Sequence, residues 1–251
     1  MIVVRSVHPR WLSNSWLLAA GPGRAALVVD AGAPPEPLLE AATRERLDVT
    51  HVIATHHHHD HVAHAGAFIE RFGAELCAHP EERDLVAGCS MSLADGDTLD
   101  IGGMDVRALH VPGHTLGQLN VLVDGEILLT GDTLFAGSVG GTVAPGHGSF
   151  AQLRSSILDR LMTLPPATRV LPGHGEETTI GAELDGNPFV RAWRGVDAPG
   201  AAPCVAMGEP ATLLVWARDY DGGHKAWVRF ADGREDVVPG SRVDRRGAVT
   251  G

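Results

Sequence analysis

The 251-residue sequence predicts an α+β protein that carries a small β-module at its C-terminus. Short apolar runs with strand character alternate with segments of helical periodicity along most of the chain. After about Arg194 the sequence becomes rich in Gly, Ala and Pro, and further strand-like runs follow. Strands and helices mixed in this way suit a four-layer sandwich, in which two sheets pack together and helices cover their outer faces.

The N-terminal part begins with strands that lead into a helix. Residues 2–7 and 15–20 are expected to pair, and Ala25–Asp30 is expected to form a buried strand. Pro34–Leu47 has helical periodicity and a proline near its start, which favours a helix. The strand expected at His51–Ala54 then leads directly into a cluster of histidines.

Further strands and two helices are predicted downstream. The Asp124-Gly125 pair between two strands is a strong hairpin signal. Helices are predicted at Glu81–Val86, after a proline, and at Phe150–Leu164, where leucines and isoleucines share one face. The strands are predicted at Glu75–Ala78, Thr98–Ile101, Met104–Val111, Gln118–Val123, Glu126–Thr130 and Arg169–Leu171.

The sequence divides into three predicted segments. Residues 1–194 form the predicted catalytic domain, residues 195–207 a linker, and residues 208–251 a small module that resembles a Tudor-like or Src-homology-type barrel. Asp-Gly pairs supply turns between the strands of the module. Its strands are predicted at Ala211–Trp216, Lys225–Phe230 and Arg234–Val238.

Histidines and aspartates with the spacing of metal ligands are the most informative feature of the chain. Four of them lie within Thr55–His61, and each of the other three lies in a glycine-containing turn after a strand-like run. Loops at strand ends can converge on one point, and imidazole with carboxylate suits zinc, and also iron or manganese. The candidate ligands are His56, His58, Asp60, His61, His114, Asp132 and His174.

The spacing of these residues favours two ions rather than one. His56 and His58 are two residues apart in an extended segment and can face the same ion. Asp60 and His61 follow where a helix over Val62–Phe72 can begin, so they can face a second ion. Two cations ~3.5–4 Å apart can share a hydroxide that is nucleophilic at neutral pH.

Composition excludes several classes of partner. A formal net charge of −11 argues against binding to a nucleic-acid backbone. No apolar run approaches the ~20 residues that a membrane span requires, and the N-terminus lacks the pattern of a secretory signal. Cys77, Cys89 and Cys204 form no CxxC pair, so we expect reduced thiols in a cytoplasmic protein that binds neither nucleic acid nor membrane.

The ligand motifs resemble those of the metallo-β-lactamase superfamily over about residues 1–195. T-H-x-H-x-D-H at Thr55–His61 is followed by G-H-T, T-G-D-T and P-G-H-G at the three turns. Within the superfamily, Gly131–Phe135 and Leu171–Phe189 resemble the short bacterial glyoxalase II-like hydrolases. The resemblance implies a four-layer αββα sandwich. It also implies two metal ions, expected to be Zn²⁺, although iron and manganese would fit the same ligands.

The resemblance also implies a role for each ligand and an activity. The expected activity is hydrolysis of an acyl thioester of a small thiol such as glutathione, with Asp60 and Asp132 as the catalytic residues. A lactonase is one alternative, and a mononuclear-iron persulfide dioxygenase is another. The implied assignment is a first metal at His56, His58 and His114, a second metal at Asp60, His61 and His174, and Asp132 as the bridge.

Two departures from the family pattern bear on the substrate. Related hydrolases and persulfide dioxygenases usually have Gly-Arg-Thr-Asp where this chain has residues 140–143, Gly-Gly-Thr-Val. The missing Arg and Asp weigh against the dioxygenase more than against a hydrolase. The glyoxalase II family grips glutathione partly with lysines, but the only lysine here is Lys225 in the C-terminal module.

The C-terminal module is unusually aromatic for this chain, and two interpretations are open. Trp216, Tyr220 and Trp227 can form the core of a module too small to bury much else. Alternatively, the module packs beside the metal cleft or against a second subunit of a homodimer. It would then contribute Tyr220, Lys225 or Arg229 to contact with the small-molecule acyl-thiol substrate.

Overall fold

Two six-stranded sheets lie at the centre of the computed structural model, which describes residues 1–245. In the first sheet the three N-terminal strands are antiparallel neighbours, and the remaining strands are parallel. In spatial order this sheet contains β1 (Ile2–Val7), β2 (Asn14–Ala19), β3 (Ala25–Val29), β4 (Asp48–Ile53), β5 (Glu75–Ala78) and β6 (Met91–Ser92).

The second sheet is mostly antiparallel. The hairpin of β9 (Leu119–Val123) and β10 (Ile127–Gly131) turns at Asp124 and Gly125, which have φ angles of 51° and 70°, as the Asp-Gly pair predicts. A short separate hairpin of β11 (Leu134–Phe135) and β12 (Ser138–Val139) follows β10. In spatial order the second sheet contains β14 (Thr178–Thr179), β13 (Arg169–Pro172), β10 (Ile127–Gly131), β9 (Leu119–Val123), β8 (Met104–His110) and β7 (Thr98–Ile101).

Helices cover the outer face of each sheet, and buried side chains fill the three interfaces. Leu17 and Phe68 lie between the first sheet and its helices, Leu27 and Val121 lie between the sheets, and Leu153 lies beyond the second sheet. The predicted αββα sandwich is therefore confirmed. The helices are α1 (Glu36–Glu45), α2 (His59–Val62), α3 (Ala65–Phe72), α4 (Phe150–Ser155), α5 (Ile180–Gly186) and α6 (Pro188–Trp193).

The predicted helices at Phe150–Leu164 and Glu81–Val86 differ most from the structure. The helix predicted at Phe150–Leu164 is regular only over α4, and continues as a π-helix at Ser156–Arg160 and a 3₁₀ turn at Leu161–Thr163. Side chains of the π-helix donate hydrogen bonds to backbone carbonyls at the end of β8 and just beyond it. The prediction of a helix at Glu81–Val86 is wrong, because this segment forms turns.

The C-terminal module is an antiparallel sheet of five strands, and it confirms the predicted β-module. The prediction that 195–207 is a linker is wrong at Ala202–Ala206, which forms the strand β15. Only Cys204 and Ala206 are buried in this strand, and such small side chains give a weak signal of alternation. In spatial order the strands are β18 (Glu235–Pro239), β17 (His224–Phe230), β16 (Glu209–Arg218), β15 and β19 (Val243–Asp244).

The module packs against α4 and α6, the helices on the outer side of the second sheet. Trp227 stacks on Phe150 with ring centroids 5.5 Å apart, and it lies 6.2 Å from Trp193. Leu214 and Val237 join the same buried cluster. Part of the aromatic content of the module therefore belongs to its contact with the sandwich. No helix among residues 1–245 has the length and apolarity needed to cross a bilayer.

Candidate metal centre

All seven predicted ligands lie together at one edge of the sandwich, because each follows the end of a central strand. The histidine cluster follows β4, His114 follows β8, Asp132 follows β10 and His174 follows β13. His58 Nδ1 lies 3.1 Å from His114 Nε2. His61 Nε2 lies 3.3 Å from His174 Nε2. Side chains that are far apart in the sequence thus converge on one small volume.

The donor atoms fall into three groups, within each of which all atoms lie within 4.8 Å of one another. One group is the set that the resemblance assigns to the first metal, and another is the set that it assigns to the second. The third group joins the two sets through Asp132. The assignment of ions to these residues stays a prediction. The groups are His56, His58 and His114; Asp60, His61 and His174; and His56, His61 and Asp132.

Asp132 lies between the two sets. Its Oδ2 is 3.6 Å from His114 Nε2 and 3.5 Å from His174 Nε2, and its Oδ1 is 3.3 Å from His61 Nε2. Of the candidate ligands it is the one carboxylate whose oxygens approach histidines of both sets. This position is the one that a bridging ligand requires.

Unpaired buried atoms show that these residues fit metal ions. His56 Nε2 and Asp132 Oδ1 are buried and have no hydrogen-bond partner. A buried polar atom without a partner costs about 1–3 kcal/mol, so such atoms are rare in folded proteins unless they have another function. Coordination of a cation would satisfy both atoms, and imidazole with carboxylate is a donor set that suits zinc or iron.

The first set is electrostatically ready to bind a cation. Burial lowers the pKa of His56 well below its ordinary value. Burial, opposed by Asp132, lowers the pKa of His114 to about 4. Both imidazoles are therefore neutral at pH 7, which is the form that coordinates a metal.

In the second set, by contrast, the pKa values of the two histidines are raised. Burial alone would lower the pKa of His174, but Asp132 and Asp60 raise it to about 10. His61 has a raised pKa for a similar reason, since Asp132 and Asp30 outweigh its burial. Burial would raise the pKa of Asp132, but His174 and His61 hold it well below its usual range. At pH 7 this set therefore holds protons that a metal ion would have to displace.

Hydrogen bonds orient the outer nitrogen of four ligand histidines. His61 Nδ1 lies 2.8 Å from Asp30 Oδ2, and His56 Nδ1 lies 3.0 Å from the Thr55 hydroxyl. His58 Nε2 and His114 Nδ1 each lie 2.9 Å from a backbone carbonyl, of Pro145 and Gly141 respectively. Such partners fix the tautomer and the direction of each ring.

His174 is oriented differently, because its Nδ1 is buried without a hydrogen-bond partner. Its ring instead stacks on Tyr220 of the C-terminal module, with centroids 4.2 Å apart and planes 14° from parallel. The ring centroid of Phe135 lies 5.9 Å from that of His174, and the two planes are 78° apart. Burial and the nearby carboxylate of Asp132 raise the pKa of Tyr220, so the phenol stays protonated.

Two glycines allow the ligand-bearing loops to approach other backbone closely. A Cβ atom at Gly32 would lie 1.6 Å from the carbonyl oxygen of Asp60. A Cβ atom at Gly140 would lie 1.9 Å from the carbonyl oxygen of Asp132. No other residue fits at either position without displacing a ligand.

Sequence reasoning missed the residues that support the ligands. Asp30 is buried and also accepts hydrogen bonds from the amide and the hydroxyl of Thr55, at 2.8 and 3.0 Å. Its available signal was an acidic residue at the end of a buried strand-like run. Buried Glu82 accepts from the amides of His57 and Gly117, each at 3.0 Å, but it lies in the segment predicted as a helix.

Comparison with known proteins decides the family. The model of the Metallo-beta-lactamase superfamily matches residues 8–174. The chain belongs to this superfamily. Its members are metal-dependent hydrolases, in agreement with the cluster of histidines and aspartates. The matched span contains all seven candidate ligands and ends before the C-terminal module.

Two relatives that are similar in sequence carry different names. An uncharacterized protein of Mycobacterium tuberculosis is 37% identical over 207 residues, which cover 70% of this chain and 92% of that protein. A hydroxyacylglutathione hydrolase of Rhizobium etli is 40% identical over 144 residues, which cover 57% of this chain and 55% of the relative. The chain thus spans about half the length of that hydrolase.

Solved structures of the same fold include proteins with different names. A B3 metallo-beta-lactamase, BLEG-1, has a TM-score of 0.69 at 28% identity and covers 75% of this chain and 99% of its own. ETHE1 from Myxococcus xanthus has a TM-score of 0.66 at 26% identity, and the match covers 79% of this chain and 92% of that protein. TTHA1623 in a di-iron-bound form has a TM-score of 0.63 at 30% identity, and the match covers 75% of this chain and 100% of that protein.

Proposed function

We propose that the protein is a binuclear metallohydrolase that cleaves an acyl thioester of a low-molecular-weight thiol. The seven ligands would hold two Zn²⁺ ions, with Asp132 between them. The di-iron-bound relative makes iron a second candidate metal. A cytoplasmic location belongs to this proposal, and the three cysteines are all free thiols.

The observation that carries this proposal is a dense donor cluster without an activated protein nucleophile. Burial raises the pKa of every cysteine, and that of Cys77 rises to about 12. No serine side chain in residues 1–245 hydrogen-bonds to a histidine. The Thr55 hydroxyl, which lies 3.0 Å from His56 Nδ1, donates its hydrogen bond to Asp30 and is not activated by a base. The nucleophile in this proposal is therefore a water molecule. When bound, the ions supply Lewis acidity and lower the pKa of water toward neutrality.

Asp60 is the residue best placed to orient the attacking water. Its Oδ2 lies 3.4 Å from His174 Nε2 and 3.5 Å from His61 Nε2. Burial would raise its pKa, but the hydrogen bond from His174 lowers it, so the carboxylate stays ionised and can accept a hydrogen bond. Its side chain is 27% exposed, against 10% for Asp132, so Asp60 is the more accessible of the two carboxylates.

A thioester suits this arrangement because of its leaving group. A thiol has a pKa of about 8.5, so a thiolate can leave without receiving a proton. The site then requires no dedicated general acid. The similarity to a hydroxyacylglutathione hydrolase supports the same class of substrate. The thiol itself is not part of the proposal, because no lysine lies in residues 1–194 to grip a glutathione carboxylate.

A substrate panel tests the proposal. The zinc-loaded protein would be assayed with acyl thioesters of several small thiols, with lactones and with a β-lactam. We expect at least one thioester to have the highest kcat/KM. Faster turnover of a lactone than of every thioester would refute the thioesterase. Oxygen uptake on a persulfide by a protein that holds one iron per chain would favour the dioxygenase.

A further inference from the structure

The loop between β12 and α4 is held by the C-terminal module. The amide of the buried Thr142 donates a hydrogen bond of 2.9 Å to the carbonyl of Val237. The amide of Val237 in turn donates a hydrogen bond of 2.9 Å to the Thr142 hydroxyl. The same hydroxyl donates to Asp236 at 3.1 Å. Three hydrogen bonds thus tie one residue of the loop to β18.

This attachment is adjacent to a metal ligand. Gly141, the residue before Thr142, accepts the hydrogen bond from His114 Nδ1. Gly140 packs closely enough on Asp132 that a Cβ would collide with its carbonyl. A change in the contact between Thr142 and β18 would therefore move the acceptor that sets the direction of His114.

The module also reaches the second set of ligands. Tyr220 lies between β16 and β17 and covers the face of His174, whose Nδ1 has no hydrogen bond. Its position is fixed by Asp219, which accepts from Ser138 at 2.9 Å and pairs with Lys225 at 2.9 Å. Lys225 Nζ lies 5.4 Å from the Tyr220 ring centroid.

We propose that the C-terminal module is a positioning element of the metal centre: Thr142 bound to β18 positions His114, and Tyr220 positions His174. Both contacts join residues of the module to ligands or loops of the sandwich. The matched family span ends at residue 174, so Tyr220 and β18 lie outside it. The inference rests on the metal centre of the proposed function, and it is independent of the substrate.

The simpler interpretation is that the module only packs on the sandwich. Trp227 contributes to such packing together with Leu214 and Val237, since it enters the cluster that contains Phe150 and Trp193. Packing alone predicts that lost contacts weaken both sets of ligands together, through stability. Positioning predicts instead that each contact acts on one set, because Thr142 acts through Gly141 on His114 and Tyr220 touches His174.

Variants that keep only one of the two metal sites distinguish these two interpretations. His58→Ala removes a ligand found only in the first set and leaves the second, whereas His174→Ala leaves the first. Thr142→Val and Tyr220→Leu would each be placed in both backgrounds, and Zn²⁺ affinity would be measured by competition with a chromophoric chelator. We expect Thr142→Val to weaken Zn²⁺ binding about 10–100-fold in the His174→Ala background, and Tyr220→Leu to do so in the His58→Ala background.

Conservative variants serve as matched controls. Thr142→Ser keeps the hydroxyl and Tyr220→Phe keeps the ring, so both should bind Zn²⁺ within about 2-fold of their parents. Thr168→Val removes a buried hydroxyl that has no partner, at the opposite end of β13 from His174, and should change neither set. Circular dichroism checks that each variant is folded. If Thr142→Val does not fold, the Tyr220 pair decides the test.

Two results would overturn the inference. One is unchanged Zn²⁺ affinity in every variant, and the other is equal weakening of both sets by either substitution. A parent chain that binds no Zn²⁺ would instead refute the metal centre itself. The failure of the positioning role and the failure of the proposed function are therefore distinguishable.

Discussion

Asp132 has a different environment from every other candidate ligand, because its oxygens approach histidines of both sets. One of those oxygens is buried without a hydrogen bond. Asp30, by contrast, has three hydrogen-bond donors and supports His61 from outside the cluster. The chemistry of each aspartate thus follows from its neighbours and not from its residue type.

Substitution of the bridging residue should affect both ions. Asp132→Asn keeps the shape of the side chain but removes its charge, so we expect bound zinc to fall from about two ions per chain to well below one. His58→Ala and His174→Ala each remove a ligand of one set, so about one ion per chain should remain in each. Elemental analysis after equilibration with Zn²⁺ and desalting measures these ratios. Retention of both ions by Asp132→Asn would contradict the bridge.

The two ligand sets should differ in their dependence on pH. His174 has a raised pKa of about 10 in the folded protein, so it is protonated at pH 7 and must lose a proton to bind metal. His114, with a pKa of about 4, is already neutral. We therefore expect Zn²⁺ binding at pH 7 to release at least about one proton in His58→Ala and close to none in His174→Ala.

Calorimetry in two buffers of different ionisation enthalpy measures this proton release. Affinity of the second set should rise as pH increases toward 10, and affinity of the first set should depend less on pH, because burial lowers the pKa values of His56 and His114. The raised pKa of His174 also determines how the stability of the protein depends on pH. In the metal-free protein, the stability that His174 contributes is fully present below pH 6.5 and is lost as pH rises through about 10. Equal proton release by both variants would contradict this assignment.

At the scale of elements, the ligand loops depend on close contact between backbones. The loop after β3 passes so near to α2 that a Cβ at Gly32 would overlap the carbonyl of Asp60. These approaches explain why glycines recur beside the ligands. The sequence shows the glycines, but it does not show which backbone each one touches, because that contact depends on the packing of two loops.

Gly32→Ala should therefore disturb the metal centre from outside it. We expect the free energy of unfolding to fall by about 1–3 kcal/mol and Zn²⁺ binding by the second set to weaken, since Asp60 must move. Gly66→Ala is the matched control, because Gly66 is exposed in α3 and a Cβ there meets nothing within 4 Å. It should raise the free energy of unfolding by up to about 1 kcal/mol.

Chemical denaturation and metal competition on both glycine variants measure these effects. A Gly32→Ala protein as stable as the parent, with both ions bound, would show that the two loops can separate at little cost. The opposite sign expected for Gly66→Ala ensures that a general effect of the added methyl group is not mistaken for the contact with Asp60.

Elements were predictable where their patterns were strong and local. The hairpin at Asp124 and Gly125 follows from the turn chemistry of two residues, and β4 follows from its apolar run. The strand β15 was missed because its buried residues are as small as Cys204 and Ala206. Local periodicity predicts a helix at 81–86, but the segment forms turns. The side chain of Glu82 there accepts hydrogen bonds from the distant amides of His57 and Gly117, which periodicity cannot reveal.

At the scale of the whole molecule, the sandwich explains why ligands so distant in sequence meet. The strands β4, β8, β10 and β13 belong to two facing sheets, and the loops that follow them converge at one edge. This convergence could be predicted because strand ends and ligand types are both visible in the sequence. The sequence leaves open whether the module packs beside the metal cleft, and it does not predict the contact of Tyr220 with His174, because that contact depends on how the module packs on the sandwich.

Anomalous diffraction from crystals of the zinc-loaded protein tests the central claim most directly. Two ions held by one bridging carboxylate should give two peaks about 3.5–4 Å apart. One peak should lie among His56, His58 and His114, the other among Asp60, His61 and His174, and Asp132 should contact both. A single peak, or two peaks that do not share Asp132, would contradict the binuclear centre on which the proposed hydrolase depends.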